Sequence, residues 1–371
     1  MSSAIVVGAG GFGGALAWWL ARTGTAVTLV DQFEPGDRRA TSGGESRLLR
    51  CSHGADAAYA ASARRARTLW RELEEESGEA LFEECGVAWF AQAADGWEAE
   101  AERVLTELGI PVERADPAEL FPAVAVDDVA FTLFEPEAGV LRAQRATQTL
   151  ARQAAAHGAR VIRGRARPQG AAVVLGDGRV LEADHVVWAC GGWLRDLFGD
   201  LVALRVTRQE VFLFDSGPEW APPRVPGWVD YDRAMYGTSD LDGMGFKACH
   251  DEDGPPIEPD AELPGVSAAG EAAVRAYLAA RFPALAGAAL RGARSCRYEL
   301  SPDANFIAAP HPAHPSVWLL GGGSGHGFKH SPALAEQMAA ALAGTAPLPA
   351  RWAIGERAPG RPLRTAGAAG R

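Results

Sequence analysis

The sequence predicts a chain of mixed α/β class with two domains, one of alternating strands and helices and one mostly of antiparallel strands. Near the N-terminus, an apolar strand at residues 4–7 is followed by a glycine-rich turn, a helix and a second strand at residues 26–30. Near the C-terminus, residues 317–320 form a third such strand, which leads through another glycine-rich turn into a helix. Residues 204–299 instead show alternating strands, many prolines and few long helices, which is typical of an antiparallel sheet.

Composition excludes several classes of protein. The chain has 371 residues with 47% hydrophobic and 22% charged residues, the balance of an ordinary globular protein. A formal net charge of -11 disfavours a nucleic-acid partner, and no apolar run approaches the roughly 20 residues of a membrane span. The five cysteines are odd in number and show no C-x-x-C spacing, which argues against a disulfide framework and a metal site. With no signal peptide evident, we expect a cytoplasmic protein.

The first glycine-rich turn matches the pattern G-x-G-x-x-G between two strands, the arrangement of a Rossmann-like dinucleotide-binding unit. Its first glycine permits the tight turn, its second lets the backbone approach a pyrophosphate, and its third lets the helix pack on the strand. The N-terminus of the helix faces the phosphates, and Asp31 at the end of the second strand can bind ribose hydroxyls. The predicted contacts here are Gly8, Gly10, Gly11, Phe12, Gly13 and Asp31.

The second glycine-rich turn favours FAD over NAD as the dinucleotide. Of the 36 basic residues only Lys247 and Lys329 are lysines, and both occur in the sequence Gly-Phe-Lys. Lysine is a compact point charge whose pKa responds to burial, so these two are candidate functional groups. Lys329 and a helix N-terminus near it could stabilise the negative charge of reduced flavin. The predicted cofactor contacts of this turn are Gly323, Gly325, His326, Gly327, Phe328 and Lys329.

From Ile5 to about Ala343 the sequence resembles the monomeric sarcosine oxidase and N-methyltryptophan oxidase group of the D-amino-acid-oxidase superfamily of FAD enzymes. The motifs that carry the resemblance are the N-terminal glycine turn with Asp31, residues 44–50, Phe134-Glu135-Pro136, Gly139-Val140-Leu141, Gly245-Phe246-Lys247, Arg291-Gly292-Ala293, Cys296-Arg297-Tyr298 and residues 324–329.

This organisation predicts a discontinuous FAD-binding domain and an inserted substrate domain. We assign residues 1–80, 141–203 and 300–345 to the FAD-binding domain, and residues 81–140 and 204–299 to the substrate domain. Residues 346–371 are predicted to be a partly disordered C-terminal extension, because from Arg357 onward the chain is mostly Pro, Gly, Ala and Arg.

The resemblance also implies roles for individual residues. It implies a covalent thioether between Cys296 and FAD, oxygen activation by Lys247, and binding of the substrate carboxylate by Arg50 and Lys329. It places Arg47 beside the flavin and makes Tyr236 and Tyr298 walls of the active site. The further FAD contacts that it implies are Thr41, Ser42, Arg47, Ala166, Ala189, Cys190, Gly191 and Trp193.

One departure from the family concerns the substrate pocket. An ungapped alignment after Lys247 places Asp251 where the family has an active-site histidine, and His250 stands one position earlier. A slip of one residue would make His250 the catalytic histidine, but an alternating strand would then point it to the opposite face. The resemblance therefore leaves the substrate open, and sarcosine itself is in doubt.

We predict an FAD-dependent oxidase of a secondary or N-substituted amine or amino acid, which forms an imine while O2 becomes H2O2. The partners expected are a small amine or amino-acid substrate and O2, without nucleic acid or membrane, and the family suggests a monomer. Three alternatives stay open: a flavin dehydrogenase with another electron acceptor, an NAD-dependent dehydrogenase, and a non-catalytic nucleotide-binding protein.

Overall fold

The computed structural model describes residues 2–360 and 363–364 and confirms the mixed α/β class. None of the helices in this described part of the chain is long and apolar enough to cross a membrane. The α-helices are α1 (Gly11–Arg22), α2 (Ala57–Ser77), α3 (Trp97–Glu107), α4 (Pro117–Leu120), α5 (Ala143–Ala156), α6 (Leu194–Phe198), α7 (Ala268–Arg281) and α8 (Ser331–Leu342).

The strands belong to two large and two small sheets. They are β1 (Ser3–Val7), β2 (Ala26–Asp31), β3 (Ser46–Leu49), β4 (Phe82–Glu83), β5 (Val87–Ala91), β6 (Glu113–Ala115), β7 (Phe131–Glu135), β8 (Gly139–Arg142), β9 (Arg160–Arg163), β10 (Ala166–Gln169), β11 (Ala172–Leu175), β12 (Val180–Leu181), β13 (His185–Trp188), β14 (Arg205–Phe214), β15 (Gly227–Asp230), β16 (Met235–Thr238), β17 (Phe246–His250), β18 (Leu290–Leu300), β19 (Ile307–His311) and β20 (His314–Gly321).

The first large sheet has the order β19-β20-β13-β1-β2-β9 and is parallel except for β19, which pairs antiparallel with β20. Its central strands β1 and β13 are mostly apolar and buried because both faces of the sheet are covered there, whereas the edge strand β9 is largely exposed. Along β1, Val6 faces the core that α1, α5 and α8 share, whereas Ile5 and Val7 face a second core that includes Trp188.

The turn between β1 and α1 depends on close contact between backbones. Gly8 has a φ of 109°, in the left-handed region that favours glycine, and a Cβ there would overlap the carbonyl oxygen of Ala189 on the neighbouring strand. A Cβ on Gly13 would overlap the carbonyl oxygen of Gly8 itself. The helix N-terminus therefore sits directly against the ends of two strands, as the G-x-G-x-x-G pattern predicts.

The second large sheet has the order β18-β14-β17-β16-β15-β5-β7-β6, and only β15 and β5 pair in parallel. One face packs against α7 through an aromatic core in which Trp228 stacks on Phe246 and on Tyr277. The opposite face carries the polar residues of the candidate site. The small sheet β3-β8-β4 brings residues 46–49 towards that polar face, while β10-β11-β12 forms a separate small sheet.

The strands of the first large sheet fall within the three segments assigned to the FAD-binding domain, and those of the second fall within the substrate segments, apart from Leu300. The exact domain boundaries stay a prediction.

The C-terminal extension packs on the protein along much of its length. Trp352 is buried and donates to the Tyr59 hydroxyl, and Arg357 donates to Asp303. Arg364 is likewise buried, in an ion pair with Asp251. The expectation of a partly disordered extension stays a prediction, and it does not hold at Arg357 and Arg364. Composition alone does not reveal these contacts. Residues 361–362 and 365–371, on which the same expectation falls, lie outside the described residues.

We expect Gly13→Ala to lower the unfolding free energy by at least about 2 kcal/mol, since the new methyl group must push helix and strand apart. Gly14→Ala is the matched control, because its Cβ would meet Leu150 at an ordinary 3.4 Å and alanine favours the helix. Urea unfolding of both variants measures the difference. Equal stability of the two variants would contradict the proposed packing.

Candidate active site

A cleft with about 1290 Å³ of empty space opens at the carboxyl ends of β1, β2 and β13, where open parallel sheets bind dinucleotides. The predicted cofactor residues that line it are Gly8, Gly10, Gly11, Phe12, Asp31, Thr41, Ser42, Arg47, Ala166, Ala189, Cys190, Gly191, Trp193, Gly323, Gly325, Gly327 and Phe328. The structure does not bring the other four predicted residues, Gly13, Cys296, His326 and Lys329, to the lining of this cleft.

Two charged residues fix the loops around the cleft. The Asp31 carboxylate accepts hydrogen bonds from the backbone amides of Ala9 and Phe33, so it ties the glycine turn to the end of β2. Burial raises the pKa of Asp31, and these two amide bonds oppose that rise. The Arg47 guanidinium donates to the backbone oxygens of Thr41 and Gly43, each at 2.9 Å. Arg47 thereby holds the loop that carries Thr41 and Ser42 against the cleft.

Glu299 also lines the cleft, although no sequence motif points to it. Its Oε1 accepts from the Gly323 amide at 3.2 Å, whereas its buried Oε2 has no hydrogen-bond partner among the described residues. Burial raises the pKa of Glu299 to about 7. The only sequence signal is its place next to Tyr298, within the strand that also carries Cys296. An unpaired buried oxygen that faces a cleft is a position for a polar group of a ligand.

The polar face of the second large sheet gathers side chains from β16, β17 and β18. Tyr236 and Tyr298 share a hydrogen bond of 3.1 Å between their hydroxyls, and Cys296 packs with Cys249 and Tyr236. The Lys247 ammonium is buried, lies 5.5 Å from the centre of the Tyr236 ring and donates to the backbone oxygen of Ser46 at 3.3 Å. Burial lowers the pKa of Lys247.

His250 does not join this group. In the register of β16 and β17, Tyr236 pairs with Cys249 and Met235 pairs with His250. Met235 belongs to the aromatic core on the other face, so His250 points away from the site. The candidate role of His250 as the catalytic histidine is therefore wrong on geometric grounds. Asp251 is the residue that reaches the site, where its Oδ1 accepts from the Tyr298 hydroxyl at 3.2 Å.

Arg50 and Lys329 form a buried pair of cations. The Lys329 ammonium donates to the backbone oxygen of His326 at 2.9 Å, and the Arg50 guanidinium donates to the backbone oxygens of Ser52 and Leu363. Burial lowers the pKa of both side chains, that of Arg50 to about 10. The Arg50 charge lowers the pKa of Lys329 further, whereas the nearby Glu135 carboxylate raises the pKa of both cations. Since neither donates a hydrogen bond to a carboxylate in the described residues, the pair is suited to bind an anion.

Three histidines lie behind this pair, and only His326 of them was predicted. His53 donates through Nδ1 to the backbone oxygen of Cys51, so its Nε2 accepts from His330 Nε2 at 3.3 Å. His330 Nδ1 then accepts from Ser62, and His326 donates through Nε2 to the backbone oxygen of Ala304 at 2.8 Å. Burial and the nearby Lys329 lower the pKa of all three histidines, so they form a neutral network.

Known proteins resemble this chain along most of its length. The family described as FAD dependent oxidoreductase matches residues 3–341. Monomeric sarcosine oxidase from Bacillus sp. (strain B-0618) is 30% identical over 352 residues, which cover 90% of each protein. N-methyl-L-tryptophan oxidase from Yersinia pestis (strain Pestoides F) is 28% identical over 358 residues, which cover 93% of this chain and 95% of that protein.

Solved structures share the fold. L-proline dehydrogenase from P. horikoshii superposes with a TM-score of 0.82 at 20% identity, covering 95% of this chain and 96% of that one. Iminodiacetate oxidase from Chelativorans sp. BNC1 gives a TM-score of 0.79 at 21% identity, covering 95% and 99%. These structures support the fold, and the family match extends through both glycine-rich turns. The chain therefore belongs to the FAD-dependent oxidoreductase family.

Proposed function

We propose that the protein oxidises the C–N bond of an N-substituted amino acid to an imine, with O2 as the electron acceptor. The observation that carries this proposal is the buried cation pair of Arg50 and Lys329, which lies close to the wall of Tyr298 and Asp251. The relatives named sarcosine oxidase and N-methyl-L-tryptophan oxidase support a secondary amine that carries a carboxylate.

The cleft fits FAD. Gly10 faces Ser42 across it so closely that a Cβ would come within 3.0 Å of the Ser42 hydroxyl, and Glu299, whose buried Oε2 has no partner among the described residues, lines the same cleft. The glycine turn and the N-terminus of α1 would hold the pyrophosphate. Bound FAD supplies the two-electron chemistry that turns an amine into an imine and O2 into H2O2.

The residues of the chain position the substrate. Arg50 and Lys329 bind its carboxylate, and this contact restores a favourable environment for two cations whose charges burial disfavours. Tyr236 and Tyr298 form a wall that orients the amine, with the Tyr298 hydroxyl held by Asp251. Lys247 places a positive charge where negative charge develops on oxygen.

Attachment of FAD to Cys296 is part of the proposal. Cys296 lies two residues before Tyr298 and three before Glu299, both of which line the cleft. Its neighbour Cys249 is also buried on the same face and is the alternative thiol. We further propose a monomer in a reducing, cytoplasmic setting, which the five unpaired thiols support.

Acid denaturation of the purified protein is expected to leave its yellow colour with the pellet. Cys296→Ala should release the dye into the supernatant, because the thioether requires this sulfur atom. Cys249→Ala is the matched control and should keep the dye attached. Release from the unaltered protein, or release from the Cys249 variant alone, would contradict attachment at Cys296.

Lys247→Met should slow reoxidation of the reduced enzyme by O2 by about 100-fold or more, because the ammonium no longer stabilises charge on oxygen. Lys329→Met is the comparison and should raise KM for the substrate while reoxidation stays fast. Stopped-flow absorbance separates the two half-reactions, and a peroxide assay across N-methyl, cyclic and primary amino acids tests the activity. Slow reoxidation of the unaltered enzyme would favour the dehydrogenase, and a negative peroxide panel would count against an oxidase.

Glu299 should make the stability of the FAD-free protein depend on pH. Its pKa is about 7 in the folded protein against 4.5 ordinarily, so the folded state binds more protons between these values. The unfolding free energy should therefore fall as pH rises from 4.5 to 7, by up to about 3 kcal/mol from this group. Urea unfolding across this range should show a flatter profile for Glu299→Gln than for the exposed control Glu182→Gln. Identical profiles would contradict the raised pKa.

A further inference from the structure

Arg364, from the C-terminal extension, lies inside the substrate side of the site. Its guanidinium donates to the Asp251 carboxylate at 2.5 Å and to the Asp251 backbone oxygen at 2.6 Å, and its other nitrogen donates to Asp253. It also lies 5.1 Å from the centre of the Tyr298 ring. The side chains of Arg364 and Asp251 are each only 6% exposed, so this ion pair is buried.

The residue before it, Leu363, contacts the other end of the site. Its backbone oxygen accepts from the Arg50 guanidinium at 3.2 Å. The dipeptide therefore presents two groups to two parts of the site: an oxygen to Arg50 and a cation to Asp251. This is the same pair of groups that a basic amino acid would present, with its carboxylate towards Arg50 and its side chain towards Asp251.

The negative charge of the Asp251 carboxylate is unfavourable unless a cation lies beside it. It is buried on the same wall as the tyrosines, and the described groups that bond to its carboxylate are Arg364 and the Tyr298 hydroxyl. A carboxylate in such a place is strongly disfavoured when its charge is unpaired. Within the described residues, the cation that pairs with it comes from the terminal extension and not from the sheet that carries Asp251.

We propose that Asp251 is a subsite for a cationic group of the substrate, a guanidinium or an ammonium, and that Leu363 and Arg364 occupy this subsite and the Arg50 subsite in the substrate-free protein. The substrate class is then an N-substituted amino acid with a basic side chain. This inference rests on the proposed function, since it assigns the substrate of that same site.

The surroundings of Arg364 allow it to leave. Besides its contacts with the site, Arg364 lines a groove of about 1500 Å³ of empty space, which includes open solvent, together with Leu363, Pro359 and Ser301. The extension is held further back by Arg357, which donates to Asp303 and to the backbone oxygens of Asn305 and Phe306. Displacement of the two residues breaks no strand pairing, although it withdraws the buried Leu363 side chain from the core around α1 and α8.

The test compares two ligands of the same shape, L-arginine and L-citrulline, which carries a neutral group in place of the guanidinium. Each is titrated anaerobically into the FAD-loaded full-length enzyme while the flavin absorbance is recorded. We expect L-arginine to bind at least about tenfold more tightly. Equal affinities would overturn the proposal.

Variants assign this preference to residues. Asp251→Asn should reduce the arginine-to-citrulline ratio to about one, and the double variant Asp251→Asn with Arg364→Met does the same without leaving an unpaired buried cation. Asp253→Asn is the matched control, because Asp253 also pairs with Arg364 but contacts Arg205 instead of Tyr298. It should keep most of the ratio. A ratio that survives in the double variant would overturn the proposal.

Arg364→Met tests the occupation by the terminal segment. Removing the competing guanidinium should tighten L-arginine binding about fivefold or more. It should tighten L-citrulline binding less, because citrulline gains only the Arg50 subsite that Leu363 also occupies. Arg357→Met, which loosens the extension away from the site, should shift L-arginine affinity in the same direction. If both variants only lower the melting temperature and leave both affinities unchanged, the segment is a structural strap and the proposal fails.

Turnover separates this proposal from the proposed function. Faster flavin reduction by Nα-methyl-L-arginine than by Nα-methyl-L-citrulline, each methylated on its α-amine, supports the oxidase assignment and the Asp251 subsite. If no amine reduces the flavin but the Asp251-dependent preference for L-arginine persists, the oxidase assignment fails and the subsite stands. If both N-methyl compounds are oxidised equally and bind equally, the subsite fails and the oxidase assignment stands.

Discussion

Three buried cations, Arg50, Lys247 and Lys329, are held by backbone carbonyl oxygens. Arg50 donates to the backbone oxygens of Ser52 and Leu363. Lys247 donates to that of Ser46, and Lys329 donates to that of His326. A carbonyl dipole satisfies the donor without neutralising the charge. Nearby carboxylates, Glu135 for Arg50 and Lys329 and Glu45 for Lys247, raise the pKa of these cations against the effect of burial. Burial, together with the charges of Lys329 and Arg50, lowers the pKa of the histidines behind them, and the same charges would attract the proposed anionic substrate.

The second large sheet places the side chains of the candidate site next to the cofactor cleft. Because side chains alternate along a strand, β17 points Lys247 and Cys249 to the site and Ala248 to the aromatic core beneath. The core of Trp228, Phe246 and Phe282 makes this face rigid. Strand β18, which lies beyond β14 in the same sheet, runs past both regions, since Cys296 packs with the site cluster and Glu299 lines the cleft. One rigid strand thus sets the distance between substrate groups and cofactor groups.

Local patterns made the first half of the site predictable. The glycine turns, Asp31 and the two lysines each have a sequence signal that depends on neighbours within a few positions. The alternation of side chains along a strand also predicted that His250 and Asp251 face opposite sides of the sheet. The unpredicted residues depend on distant partners. Glu299 is an ordinary acid until the fold buries its Oε2, and His53 meets His330 across 277 positions. The helix α7, whose sequence is rich in alanine, was also not predicted.

Arg364 shows most clearly what sequence patterns cannot predict. Its partner Asp251 lies 113 positions away, and its neighbours in sequence are typical of a disordered tail. The resemblance implies a histidine at the position of Asp251. Exchanging an imidazole for a carboxylate reverses the charge that this wall can carry, and a bare carboxylate there would repel the carboxylate of the proposed substrate. A cation between the two removes that repulsion and satisfies both. The site therefore requires a positive group at this point, whether its own arginine or one that arrives with the substrate.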